Sequence, residues 1–138
     1  MSEKHQIDLA AYRIGKEKER LCSAEALLKS GSFADSIGRS YYAIFTAARA
    51  LLALKGLDSK RHSGVVALFN EHFIKTGLLA KEVYQIITSA KAKRERADYE
   101  DYVEFNKEEV EEQLTKAKEF VRGVENLLVE LNSGGKSL

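Results

Sequence analysis

Apolar residues recur at three- and four-residue intervals along most of the chain, which is the spacing of one face of an α-helix. The pattern is densest between Ser32 and Leu54. Ser32 is predicted to cap the start of this helix, and Gly56 to end it in a left-handed conformation. Gly38 lies inside the helix, where glycine costs about 1 kcal/mol relative to alanine. We therefore expect its missing side chain to make room for a closely packed neighbour, and we predict that 32–54 is the central helix.

Three other segments have helical spacing and are separated by glycines. A first helix is predicted from Ile7 to Lys29, with its charged block 16–20 mostly in solvent. It should lie antiparallel to the central helix, because the connection between them is very short. A shorter helix is predicted between Val65 and Gly77. The stripe 79–90 predicts a fourth helix, which loses its periodicity and ends between residues 97 and 105.

The last helix has the most regular pattern. Asn106 is placed to cap it, with Glu109 in the capping-box position, and its apolar stripe continues from Val110 to Leu131. The fold class predicted from these segments is all-α, an antiparallel up-and-down bundle of four long helices plus one short helix. Residues 1–132 are predicted to form a single domain, and 133–138 a disordered tail.

Composition narrows the classes of function. The 138 residues suit one domain, and 22 basic against 21 acidic side chains create no overall field that would favour nucleic acid. Any such preference must come from a local patch. No apolar run approaches the roughly 20 residues that span a bilayer, and the N-terminus lacks an apolar signal core, so no membrane association is predicted. The single cysteine, Cys22, excludes an internal disulfide, and a cytoplasmic location is predicted. Neither a metal site nor a cofactor is expected.

A charged stretch from Lys91 to Tyr102 follows the fourth apolar stripe and allows two interpretations. In the first it is a solvated helix end, where Arg94 with Asp98 and Arg96 with Glu100 form ion pairs at i, i+4 spacing. In the second, arginine offers a fork of donors to phosphate oxygens, and Tyr99 and Tyr102 offer rings for base stacking.

Two other places carry candidate chemistry. Arg39 precedes Tyr41 and Tyr42, which predicts either an arginine at a cleft or two half-buried tyrosines beside an arginine that extends to water. His62 follows two basic residues in a connection. It is expected either to enter the short helix or to supply a base near Arg94.

Three motifs resemble those of a known family. The run from Arg39 to Leu52, the triplet 62–64 and the run from Arg94 to Tyr99 occur in the order and spacing of a HEPN domain. HEPN domains are small helical bundles, and the resemblance is to the stand-alone prokaryotic branch. It implies a homodimer and a minimal nucleotidyltransferase partner, in a module similar to a toxin–antitoxin pair. Nucleotide or RNA is the implied ligand.

The resemblance departs from the family at one position. HEPN members that cut RNA without a metal carry an arginine and a histidine separated by four to six residues. Here Arg94 matches the arginine, but Tyr99 stands where the histidine would be. An unperturbed tyrosine titrates near pH 10, about three units too high for a general base at neutral pH. The catalytic residues are therefore unknown, with Arg94 and Tyr99 as candidates.

The sequence leaves three hypotheses open. The first is a HEPN-type protein that binds nucleotide or RNA, a minimal nucleotidyltransferase, or both. The second is a metal-free endoribonuclease with a variant site at Arg94 and Tyr99, and the third is a structural subunit that binds a partner but no nucleotide. The candidate nucleotide-binding residues are Arg94, Asp98, Tyr99, Tyr102, Arg39 and His62.

Overall fold

The computed structural model describes residues 2–99 and 104–138, and every regular element within these ranges is a helix. The elements in chain order are α1 (Glu3–Lys29), α2 (Phe33–Leu54), α3 (His62–Phe69) continued by a π-helical turn (Asn70–Ile74), α4 (Lys81–Tyr99) and α5 (Lys107–Ser133). This confirms the predicted all-α bundle. None of the described helices is both long and apolar enough to cross a membrane.

The second helix is the centre of the bundle, as its pattern predicts. It packs against each of the other four helices. Ile37, Ile44 and Leu51 are completely buried on its apolar face. Ala43 and Ala47, also completely buried, let neighbouring backbones come close. Full burial of each large aliphatic side chain contributes about 1.5–3 kcal/mol, so α2 supplies much of the driving force for folding.

A buried polar network fixes α5 against α2. The Nε2 of Gln113 donates hydrogen bonds to the carbonyl of Ile37 (3.0 Å) and to the hydroxyl oxygen of Ser40 (2.6 Å). The hydroxyl of Ser40 in turn donates to the Ile37 carbonyl at 3.1 Å. Because buried donors must find acceptors, this network specifies one register of α5 along α2.

The helix ends test the predicted caps. At α5 the Asn106 side chain accepts from the Glu109 amide (2.8 Å) and the Glu109 carboxylate accepts from the Asn106 amide (3.1 Å), so the capping box is confirmed. At α2 the prediction is wrong, since the Ser32 side chain makes no cap hydrogen bond. Its hydroxyl bonds instead to that of Ser30 at 3.3 Å. Gly56 has the predicted positive φ, at 70°.

Candidate functional site

Arg94 of α4 lies directly against Gly38 of α2. A β-carbon built on Gly38 would be 3.3 Å from Arg94 Nη1, which is closer than about nine in ten contacts that real β-carbons make. Gly38 thus makes room for a close neighbour, as predicted, and the neighbour is the guanidinium group of the candidate site. Asp98 is 3.4 Å from Arg94 Nη2, which confirms the predicted ion pair. Both of these side chains are more than two-fifths exposed, so the pair leaves Arg94 accessible.

Arg94 opens into a cavity of about 610 Å³, called the Arg94 cavity below. Its lining comes from α1, α2, the first residue of α3 and the second half of α4. The lining residues are Arg20, Leu27, Ala34, Asp35, Gly38, Arg39, Tyr41, Tyr42, His62 and Arg94. Three arginines and one carboxylate, Asp35, belong to this lining. Arg94 pairs with Asp98 and Arg20 with Glu17, so the cavity offers an anion guanidinium donors rather than a large net positive charge.

Tyr41 and His62 form a hydrogen bond at the base of the Arg94 cavity. The Tyr41 hydroxyl lies 2.7 Å from His62 Nδ1, and the imidazole ring also packs on Phe45 with centroids 4.2 Å apart. His62 is the first residue of α3, as one of its two predicted placements has it, and it also lines the same cavity as Arg94. Its role as a base stays a prediction.

The phenol of Tyr41 stays protonated at neutral pH. Tyr41 is only 3% exposed. Burial raises its pKa to about 12; Glu95 and Asp98 act in the same direction and Arg94 opposes them. A neutral phenol both donates and accepts hydrogen bonds. Tyr41 can therefore accept from Nδ1–H, which leaves the lone pair of His62 on Nε2, or donate to Nδ1, which makes Nε2 a donor.

Arg39 and Tyr42 lie at the open side of the cavity. Arg39 is exposed, and the salt bridges found within 2–99 and 104–138 do not include it. Tyr42 is 51% exposed. The guanidinium carbon of Arg20 lies 4.4 Å from the centroid of the Tyr42 ring, a cation–π contact that holds the tyrosine at the rim.

The structure separates the predicted site residues into two groups. Arg94, Arg39 and His62 line one cavity, and Asp98 is paired with Arg94. Tyr99 is the last residue of α4, is 84% exposed and does not line the cavity. Tyr102 lies outside the described residues. The roles assigned to all six residues stay predictions.

Arg20 and its partner Glu17 were missed in the sequence, where block 16–20 was expected in solvent. Glu17 is only 3% exposed and accepts a hydrogen bond from Arg20 Nε at 2.8 Å. Burial raises the pKa of Glu17, and the bond to Arg20 opposes this effect. The signal was its spacing, since Glu17 lies three residues after Ile14 and four before Leu21, on the buried stripe.

No group of three or more His, Cys, Asp or Glu side chains within 2–99 and 104–138 is placed to hold a metal ion. Apart from the carboxylate of Asp35, the polar side chains that line the Arg94 cavity can all donate hydrogen bonds: three guanidinium groups, a phenol and an imidazole. Such donors suit an anionic ligand with oxygen acceptors.

Comparison with known proteins gives the class to which this fold and cavity belong. The sequence profile of the HEPN domain matches residues 10–127, so the chain belongs to the HEPN domain family and the resemblance seen in its motifs is confirmed.

Individual relatives cover nearly the same length. The chain is 37% identical over 131 residues to a UPF0332 protein of Thermotoga maritima, which covers 95% of this chain and 98% of the relative. It is 35% identical over 119 residues to a Methanocaldococcus jannaschii protein provisionally named toxin MJ0142, and the match covers 86% of this chain and 81% of the relative. A second protein of that organism, provisionally named toxin MJ0605, is 34% identical over 114 residues.

Proposed function

We propose that this protein is a toxin-like HEPN protein that binds nucleotide or RNA in the Arg94 cavity. The observation that carries the proposal is the convergence of Arg94, Arg39 and His62 on one cavity that three guanidinium groups line. The provisional toxin names of two relatives support the toxin-like class. The volume of about 610 Å³ is within the range of pockets that hold small ligands.

The chemistry of the lining favours a phosphate group. The Arg94 guanidinium lies beside Gly38, whose absent side chain leaves room for it, and would present its fork of donors to the phosphate. Arg39 offers a second positive charge, and the Tyr41–His62 pair offers further hydrogen bonds. Charge-assisted bonds from arginine to phosphate are about twice as strong as neutral ones.

Calorimetric titration with ATP and with a short single-stranded RNA tests this proposal. Arg94→Ala should weaken binding about tenfold or more, since a hydrogen bond to a charged group contributes about 1.5–3 kcal/mol. Arg122→Ala is the matched control, because Arg122 is an exposed arginine of α5 outside the cavity. Equal affinities for wild type, Arg94→Ala and Arg122→Ala would contradict the proposal.

We propose further that the protein forms a homodimer and pairs with a minimal nucleotidyltransferase in a module similar to a toxin–antitoxin pair. Tyr99 suits the role of acceptor, because its ring is 84% exposed. Its phenol oxygen would attack the α-phosphorus of ATP held by the partner; pyrophosphate leaves and the phenolic proton passes to the partner enzyme. Intact-mass analysis after mixing with the partner and ATP should show the gain of one AMP less one water.

The controls for this transfer are simple variants of the same chain. Tyr99→Phe should abolish the mass gain, while Tyr12→Phe, another exposed tyrosine, should keep it. An unchanged mass for the wild-type protein would reject the acceptor role. Sedimentation equilibrium of the protein alone tests the homodimer.

A second candidate function is metal-free RNA cleavage, and the Tyr41–His62 hydrogen bond favours it. When Tyr41 accepts from Nδ1–H, His62 Nε2 can take the proton of an RNA 2′-hydroxyl. The 2′-oxygen then attacks the phosphorus held by Arg94, the bond to the 5′-oxygen breaks, and that oxygen takes a proton from water. The products are a 2′,3′-cyclic phosphate and a 5′-hydroxyl end, and an imidazole is suited to this step near neutral pH.

RNA degradation in EDTA separates these functions. Loss of cleavage in both Arg94→Ala and His62→Ala would support a nuclease in which His62 is the base and Tyr41 is its hydrogen-bond partner. Cleavage that survives His62→Ala but not Tyr99→Phe would favour the variant site at Arg94 and Tyr99. No cleavage and no binding, with stable co-purification of a partner, would favour a structural subunit.

A further inference from the structure

A second cavity adjoins the Arg94 cavity along α2. It has a volume of about 310 Å³, and its lining includes Arg13, Tyr42, Phe45, Thr46, Arg49 and Asp58; we call it the Arg13 cavity. Tyr42 lines both cavities. Phe45, on the Arg13 side, packs against His62, on the Arg94 side, at 4.2 Å between centroids. The two cavities are therefore separated by a wall of aromatic rings.

The charges of the Arg13 cavity resemble those of its neighbour. Arg49 already forms a salt bridge, since its Nε and Nη2 donate to the Asp58 carboxylate at 3.0 and 2.6 Å. Arg13 is exposed and has no such partner among residues 2–99 and 104–138. Arg13 and Arg39 thus provide a positive charge in each cavity, one on either side of Tyr42.

Tyr42 itself is held in position but not covered. Arg20 contacts its ring at 4.4 Å, and Arg20 is in turn fixed by the buried Glu17 at 2.8 Å. About half of the tyrosine remains exposed. A fixed and half-exposed aromatic ring between two positive charges is the arrangement by which proteins stack a base of a single strand while arginines contact its phosphates.

We propose that the Arg13 cavity is a second nucleotide subsite, so that the ligand class of this protein is a single-stranded oligonucleotide rather than a free nucleotide. The first nucleotide occupies the Arg94 cavity, the next base stacks on Tyr42, and the following phosphate pairs with Arg13. A duplex is excluded, because its bases are stacked on one another and cannot reach an aromatic side chain. This inference rests on the proposed nucleotide-binding function.

Fluorescence anisotropy with labelled strands of one to four nucleotides tests the inference. Affinity should rise by about five- to 150-fold once a second base is present, the gain expected from one base–aromatic stack. Tyr42→Ala should remove this gain, and Tyr42→Phe, which keeps the ring, should preserve it. Tyr12→Ala is the control. Tyr12, in α1, is also an exposed tyrosine next to a cation, but it lines neither cavity.

Arg13→Ala gives an independent readout. It should leave mononucleotide binding unchanged, weaken binding of the longer strands, and reduce the slope of log affinity against log salt by about one. An abasic strand of the same length should lose the part of the gain that depends on Tyr42. RNA and DNA strands are compared, since stacking on Tyr42 predicts a length gain for both.

The outcomes separate this inference from the function on which it rests. A mononucleotide that binds through Arg94 without any gain from added length, or a gain that survives Tyr42→Ala, overturns the second subsite and leaves the proposed function intact. Absence of binding for every strand by the wild-type protein overturns both.

Discussion

Tyr41 and His62 are 21 residues apart in sequence and meet through a hydrogen bond of 2.7 Å between hydroxyl and Nδ1. The contact joins the central helix to the first residue of α3 and fixes an imidazole in the lining of the Arg94 cavity. It brings together residues of two of the three motifs that identify the family, and the Arg94 cavity contains residues of all three.

Removal of this hydrogen bond should be measurable in stability. Tyr41→Phe is expected to lower the free energy of unfolding by about 0.5–1.5 kcal/mol, because it leaves His62 without its partner in a partly buried place. Urea denaturation followed by circular dichroism measures the change. Tyr84→Phe serves as control, since no hydrogen bond of its hydroxyl is found among the described residues. Equal losses for the two variants would contradict a specific bond to His62.

Gly38→Ala should separate stability from binding. Alanine gains about 1 kcal/mol of helix propensity over glycine, and the group that its β-carbon meets at 3.3 Å is the flexible end of Arg94. The guanidinium can move away, so we expect a stability gain of up to about 1 kcal/mol together with weaker nucleotide binding.

Gly15→Ala is the matched control for that experiment. Gly15 lies in α1, and a β-carbon there would have no neighbour within 4 Å. It should give a similar gain in thermal stability without any change in affinity. Unchanged nucleotide affinity in Gly38→Ala would show that the position of Arg94 does not matter for the ligand.

The raised pKa of Glu17 predicts that its contribution to the free energy of unfolding falls as pH rises. Its pKa is raised in the folded protein by burial, so folding favours the protonated form. The contribution is fully present below the ordinary carboxyl pKa and is lost as pH rises through the folded value. Glu17→Gln should therefore increase the unfolding free energy more at pH 7 than at pH 4. Glu19→Gln, an exposed neighbour, should show no such trend, and identical pH profiles for both variants would contradict the account.

The lowered pKa of Glu109 predicts that its contribution to the free energy of unfolding falls as pH falls. Arg96 donates to its carboxylate at 3.1 and 3.3 Å, and these bonds, with the Asn106 amide, hold the pKa of Glu109 below its usual range. The stabilisation is present above the ordinary carboxyl pKa and is lost as pH falls through the folded value. Glu109→Gln should lower the free energy of unfolding by about 1 kcal/mol at pH 7, and not by more, because the site is partly solvated. The loss should be smaller at pH 3, where the carboxylate of the wild-type protein takes up a proton.

The control for Glu109 is another carboxylate of the same helix. Glu111 is half exposed and pairs with Lys107 only at 3.7 Å, so Glu111→Gln should change the unfolding free energy by less than about 0.5 kcal/mol. A loss of equal size in the two variants would mean that the bridge from α4 to α5 contributes nothing beyond surface charge.

The sequence predicts the local features well, because each depends on residues that are close along the chain. The capping box of Asn106 and Glu109 is complete within four residues, and it forms as predicted. Ser32 fails as a cap because the tight turn from α1 gives it a ψ of 69° instead of an extended backbone. That geometry follows from how α1 ends, which a cap pattern read from α2 alone does not include.

The candidate site depends on contacts between distant segments, and the sequence predicts it only in part. Gly38 indicated that something packs closely against α2, but periodicity could not tell that this was Arg94. The pairing of Arg96 with Glu100 stays a prediction, since residue 100 lies outside the described residues, and periodicity did not predict that Arg96 bonds to Glu109 across helices. Such pairs follow from helix packing angles, which side-chain spacing within one helix does not determine.

The most direct test of ligand binding in the Arg94 cavity is an NMR titration of the isotopically labelled protein with a short single-stranded RNA. If RNA binds there, the amide signals of Gly38, Tyr41 and His62 and the side-chain signal of Arg94 shift together, with one dissociation constant. Shifts confined to the groove between α4 and α5, at residues such as Gln85 and Lys116, or no shifts at all, would contradict it.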